Sequence, residues 1–204
     1  MQLTTDHALD GLDIDLENDV IDSNYGVFIR DLATKMKPLN KLLTAALATW
    51  NAEKIPEVAL KEFDFINVMS YDQTGPWRPD KPGHHSTYEK AVEDLQYWKN
   101  KRHVPADRIN LGVPFYGYVF NSLNATSMTY EEIVKTFRHG PKMDCRLLID
   151  GGTVYYNGIP TIRKKTQLAL QEAGGVMLWQ LLQDDPGKHS LLKVIDKTRR
   201  KGRK

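Results

Sequence analysis

The stretch LDGLDIDLEND, residues 9–19, sets Asp13, Asp15 and Glu17 at every second position, with Leu12, Ile14 and Leu16 between them. Alternation with period two marks a β-strand, whose successive side chains point to opposite faces, so the three acids share one face. Carboxylates two residues apart on a strand lie roughly 7 Å from one another, and at an effective dielectric of about 20 each charged neighbouring pair costs about 2 kcal/mol. That repulsion raises at least one pKa. A carboxylic acid kept protonated near neutral pH beside ionised neighbours suits general acid catalysis. Two plainer explanations compete. An edge strand with one solvated face also alternates, but edges mix signs or use Lys, and no base interrupts these acids. A calcium loop of the EF-hand kind wants a mid-loop Gly and a Glu at its twelfth position, whereas Gly11 comes early and apolar residues fill the gaps.

Such a strand needs a scaffold, and the chain that follows alternates between two periodicities. Tyr25, Phe28, Leu32 and Met36 recur at helical spacing, with Asp22 or Ser23 as the expected N-cap and Pro38 as the stop. KLLTAALATW reads as a buried strand, PEVALKEF as a short helix, DFINVMSYD as a strand and TYEKAVEDLQYWKNK as a helix. INLGVPFYG reads as another strand, TYEEIVKTF as a helix, and LLIDGGTVYYNG as an irregular or hairpin-like insertion. The chain closes with the helix TIRKKTQLALQEAG, the strand GVMLWQLL and the helix HSLLKVIDKTRR. This makes five βα units. Strands separated by helices run parallel, and such sheets place ligand sites at the strands' carboxyl ends. Glu17, Tyr71, Asp72, Phe115, Tyr116 and Trp179 fall at or near those ends. A doubly wound nucleotide-binding sheet is the rival, but neither GxGxxG nor GxxxxGK[ST] occurs, and no GxSxG elbow occurs either.

At 204 residues and 41% hydrophobic content the chain can build one sizeable core. Its ending, KTRRKGRK, carries six bases against a net charge of only +2, so residues 1–196 are net acidic. Residues 197–204 are therefore expected as a frayed basic tail, and with no aromatic residue among them to stack on bases no nucleic-acid partner is drawn from them. Cys145 is the single cysteine, which excludes an internal disulfide and argues against a structural zinc site. The N-terminus lacks a secretory pattern, and no apolar run reaches membrane-spanning length, so no membrane insertion is expected.

Four motifs in order resemble glycoside hydrolase family 18, the chitinases and endo-β-N-acetylglucosaminidases. Residues 10–17, DGLDIDLE, match its DGxDxDxE signature; NVMSYD (67–72), LGVPFYG (111–117) and GGVMLWQL (174–181) look like its sixth, seventh and eighth strands. The resemblance implies a partial (β/α)8 barrel over residues 1–196, from the family's fourth strand onward, with a small insertion before the last helix–strand pair. Leu16 stands where the family often has tryptophan, and the segment before the last strand reads as too short for an extra α+β domain, which implies a shallow groove and endo-type cleavage. A sheet short of three strands is expected to turn apolar residues such as Leu43, Ala45, Val113 and Val176 toward water or a neighbouring chain, and to lack appreciable activity.

The roles that follow are carried by the resemblance alone. Glu17 would protonate the leaving oxygen and then activate water; Asp15 would hold the substrate's acetamido group, and Asp13 would tune Asp15. Tyr71 would hydrogen-bond the acetamido carbonyl and Asp72 the sugar, Trp179 would form the pocket floor, and Met69 and Tyr116 would line it. No metal or other cofactor is implied. The implied partner is chitin or an N-acetylglucosamine oligosaccharide, hydrolysed with retention and substrate assistance, outside the cell or in the periplasm for a full-length relative. Two alternatives stay open: cleavage of glycoprotein glycans, and sugar binding without catalysis.

Overall fold

The computed structural model describes residues 2–122 and 124–202. A short helix, α1 (Gln2–Asp6), precedes β1 (Gly11–Ile14), and the first crossover is α2 (Tyr25–Met36). Then come β2 (Leu42–Leu47), α3 (Glu57–Leu60), β3 (Phe65–Val68), α4 (Tyr88–Gln96) and β4 (Ile109–Pro114). Two antiparallel strands follow, β5 (Tyr116–Phe120) and β6 (Ala125–Thr129), then α5 (Tyr130–Thr136) and the pair β7 (Cys145–Leu147) and β8 (Thr153–Tyr155). The chain returns through α6 (Ile159–Glu172) to β9 (Gly175–Trp179) and ends on α7 (Leu191–Gly202).

The five expected parallel strands pair in chain order, β1-β2-β3-β4-β9, as a segment of a (β/α)8 barrel. Its outward face carries Leu43, Ala45, Leu47, Ile66, Val68, Ile109 and Leu111, all at most 1% exposed beneath the helices. The expectation that Leu43, Ala45 and Val113 meet water is wrong: each is 0% exposed, and Val176 is half-buried. The reason is local. Each crossover helix covers the outer face of the strands it joins, so that layer forms whatever the strand count, and the deficit falls on the edges β1 and β9.

The helix boundaries show where local chemistry overrode periodicity. On α2 the buried stripe is Tyr25, Gly26, Ile29, Ala33 and Met36, while Phe28 stays exposed; the N-cap is Asn24, and Asp22 accepts the Asn24 amide at 2.8 Å. Helix α5 starts as the sequence reads, on a capping box between Thr129 and Glu132. The basic residues 197–202 are no frayed tail but the last turns of α7, where Asp196 pairs with Arg199 and Arg200 at 3.0 and 2.8 Å.

The expected single strand over residues 109–117 breaks at Phe115, and its far end becomes β5 of a second, antiparallel sheet ordered β6-β5-β8-β7. That sheet, with α5, forms a small α+β insertion whose Tyr130 and Ile133 share one buried cluster with Val113 on β4, Ile162 on α6 and Leu191 on α7. The segment thus holds what its length was read as excluding, because the module starts on residues counted as barrel strand. The inference of a shallow groove loses its basis.

Candidate active site

β1 pairs only as far as Ile14, but the chain stays extended to Glu17, at φ −128° and ψ 164°. Alternation therefore survives the end of pairing. Leu12, Ile14 and Leu16 pack against the outer core, while Asp13 and Asp15 are exposed on the opposite side and Glu17 is half-buried. Asp13 is anchored across the sheet: its Oδ1 accepts from Thr44 Oγ1 on β2 and, at 3.1 Å, from Asn67 Nδ2 on β3. Asn67 Oδ1 in turn accepts from Asn110 Nδ2 on β4 at 3.0 Å. This polar ladder lies below the upper acids. Burial, then the Asp13 charge, pushes the Asp15 pKa up; burial, then Asp15 and Asp72, pushes Glu17 up.

Glu17 opens onto a cleft of about 720 Å³ whose lining includes Met69, Tyr71, Asp72, Trp50 and Trp77. Tyr71 is 7% exposed; its hydroxyl reaches Met177 Sδ on β9 at 3.9 Å and its ring meets Tyr116 edge-on. Gly112 makes that placement possible, since a Cβ there would lie 2.4 Å from the Val68 carbonyl and 3.1 Å from the Tyr71 ring.

Asp72 lies in the loop that follows β3. It sits in the left-handed region at φ 62°, which Asp tolerates, and its Oδ1 accepts from the hydroxyls of Tyr116 at 2.6 Å and Tyr118 at 3.0 Å. Behind it lies His85, 0% exposed. Burial lowers the His85 pKa, against the pull of the neighbouring Asp72 carboxylate. Its Nε2 lies 3.3 Å from the Tyr116 carbonyl oxygen, and its Nδ1 lies 3.3 Å from Asp72 Oδ1 and 3.4 Å from the Asp72 amide nitrogen.

Of the residues singled out from sequence, Glu17, Met69, Tyr71 and Asp72 share the cleft. Asp13 stands on β1 and Asp15 on its extended continuation toward Glu17, and Tyr116 lies beneath Asp72 with its hydroxyl engaged. Trp179, 51% exposed, ends β9 at the opposite edge of the sheet from β1. Sequence reading missed Thr44, Asn67, His85, Tyr118, Trp50 and Trp77. Tyr118 had a signal, since it follows Tyr116 at strand spacing; His85, 13 residues beyond Asp72, had none.

A parallel barrel segment with an acid-lined cleft at its strands' carboxyl ends is the scaffold of an α/β-barrel glycoside hydrolase. The chain belongs to glycosyl hydrolases family 18, whose family model matches residues 1–184. It is similar to the family 18 chitinase ChiB from the chitin utilization locus of Flavobacterium johnsoniae, at 44% identity and a TM-score of 0.88, covering 97% of this chain and 62% of that one. A Bacteroides thetaiotaomicron chitinase superposes with a TM-score of 0.78 at 31% identity, covering 96% and 65%. Human Chitinase-3-like protein 2 is 26% identical over 88% of this chain and 60% of its own length. The chain thus spans about 60% of the length of such relatives.

Proposed function

We propose that this chain carries the catalytic acids of a chitinase-type enzyme that cleaves β-1,4 links between N-acetylglucosamine units with retention, using the substrate's own 2-acetamido oxygen as nucleophile. One observation carries the reading. The acids among the described residues lining the cleft are Glu17, Asp72 and Asp94, and only Glu17 is uncommitted. Asp72 is held by two tyrosine hydroxyls, and Asp94 is 2% exposed, accepts from Ser70 at 2.7 Å and lies 2.8 Å from Lys90 Nζ. A retaining enzyme with its own nucleophile needs a second free carboxylate across the sugar, about 5 to 5.5 Å from the acid. Among the described residues none lining the cleft fills that role, and Asp15, exposed beside Glu17, shares its side of the sugar, which supports attack on the anomeric carbon by the acetamido oxygen.

In this reading Glu17 donates its proton to the leaving oxygen, its raised pKa keeping the proton available. Asp15 orients the acetamido N–H and offsets the positive charge of the oxazolinium ring, while Glu17, now ionised, deprotonates the water that opens it. Tyr71 and Asp72 hold the sugar, and Trp179 underlies it. Because β1 and β9 are both sheet edges, the reading also holds that turnover needs three further βα units to close the wall.

Incubating that closed-barrel form with chitooligosaccharides and, separately, with high-mannose glycopeptides tests the proposal. Cleavage of the former with β-anomeric products detected by NMR before mutarotation supports it. Early α-anomer removes substrate assistance, cleavage of glycopeptides alone reassigns the substrate, and binding without cleavage makes the protein a lectin.

A further inference from the structure

Lys165, on α6, is 0% exposed, and among the described residues its ammonium has no carboxylate within 4.0 Å. It donates instead to both oxygens of one residue, the Ser86 carbonyl at 2.9 Å and Oγ at 2.7 Å. The charges that act on it stand further off: Asp144, whose oxygens are taken by the Gly158 amide and Thr161, and Asp94 and Glu89 on α4. His84 and His85, from the segment beside it, feel its charge in return. A buried, unpaired ammonium is costly, so a site that retains one needs a reason beyond packing.

Ser86 supplies the reason. Its carbonyl also accepts from Asn157 at 2.8 Å, and its hydroxyl donates to the Ser70 carbonyl at 2.6 Å, directly before Tyr71 in the chain. Its other neighbour in sequence is His85, whose ring receives the Asp72 amide and whose carbonyl receives the Gln73 amide at 3.1 Å. One serine therefore joins both strand-end residues of the cleft to α6. Removing its clamp would release each of them.

We infer that Lys165 is a positioning residue for the candidate site: by gripping both oxygens of Ser86 it sets the His85 ring under Asp72 and steadies the backbone beside Tyr71. The inference rests on the reading that Tyr71 and Asp72 receive the sugar. It is not a pH latch. Burial lowers the ammonium pKa to about 7, yet the neutral amine keeps two donors for the two Ser86 oxygens, so the grip outlasts the charge.

Lys165→Met keeps length and removes the donors. Amide hydrogen exchange of the 204-residue chain reads the result without any substrate, so it stands or falls apart from the chitinase reading. Exchange at Asp72 and Gln73 should quicken about tenfold or more while Ala45 and Leu47 on β2 hold their rates. The His85 ring nitrogen resonances, set by Asp72 on one side and the Tyr116 carbonyl on the other, should shift at the same time. Ser86→Ala, which removes only the hydroxyl, should raise the same two amides and serves alone if Lys165→Met fails to fold. Unchanged exchange at Asp72 and Gln73 in a folded variant, or acceleration shared equally with Ala45 and Leu47, overturns the inference.

Discussion

The Tyr116 hydroxyl donates to Asp72 Oδ1 at 2.6 Å across the junction of two sheets. Asp72 follows the barrel strand β3, whereas Tyr116 opens the antiparallel module, so the inserted sheet reaches back to hold a cleft residue. The module is part of the site rather than an ornament on it.

Tyr116→Phe keeps the ring against Tyr71 and removes one donor to a carboxylate. Such a bond is worth about 1.5–3 kcal/mol, so kcat/KM of the closed-barrel form should fall about tenfold to a hundredfold. An unchanged kcat/KM on chitotetraose would show that Tyr118 alone secures Asp72.

Glu17→Gln preserves shape and abolishes the proton. Turnover of the closed-barrel form should drop by several orders of magnitude while calorimetric affinity for chitooligosaccharide stays within about threefold. Retention of activity within about tenfold would place the acid elsewhere.

Asp15→Asn removes a negative charge that raises the Glu17 pKa. Glu17 then ionises more readily, so the alkaline limb of the kcat/KM profile should move to lower pH, with activity reduced throughout. A limb that stays put, or moves upward, would mean that Glu17 does not set it.

Gly112→Ala should destabilise the protein by about 1–3 kcal/mol, because the new Cβ overlaps the Val68 carbonyl and presses on the Tyr71 ring. Denaturant unfolding measures the loss. A neutral result would show that the strand has room to shift.

Lys165 makes stability depend on pH in an unusual direction. The folded state loses this proton near pH 7, whereas the unfolded chain keeps it to about 10.5, so the unfolded state binds more protons in between. Stability should rise with pH across that window and level off above it. In Lys165→Met the rise should vanish, as read from urea midpoints at fixed pH; a slope that persists would assign it to another group.

The five parallel strands and their helices were legible because each rests on a local pattern, alternation in DGLDIDLE or helical spacing in TIRKKTQLAL. Residues 109–117 were misread for the same reason: a strand that leaves one sheet for another carries no local mark of the departure. The hairpin-like reading of LLIDGGTVYYNG is matched by the antiparallel pair β7 and β8, but that it joins a second sheet went unseen, since β8 does so only by pairing onto β5, residues read as the end of a barrel strand.

By itself the sequence determined that three acids share a face at a strand's end, because side-chain direction follows backbone period and needs no distant partner. It also determined which strand ends carry polar and aromatic residues. Only the tertiary structure decided which acids are free to react. Asp72 and Asp94 are committed by Tyr116, Tyr118, Ser70 and Lys90, up to 46 residues away, and Glu17 is not. The difference is physical: a carboxylate's availability depends on the donors that folding brings within about 3 Å of it, and apart from Lys90, one turn before Asp94 on α4, those donors are distant in the chain, Tyr116 and Tyr118 on the second sheet and Ser70 in the loop after β3.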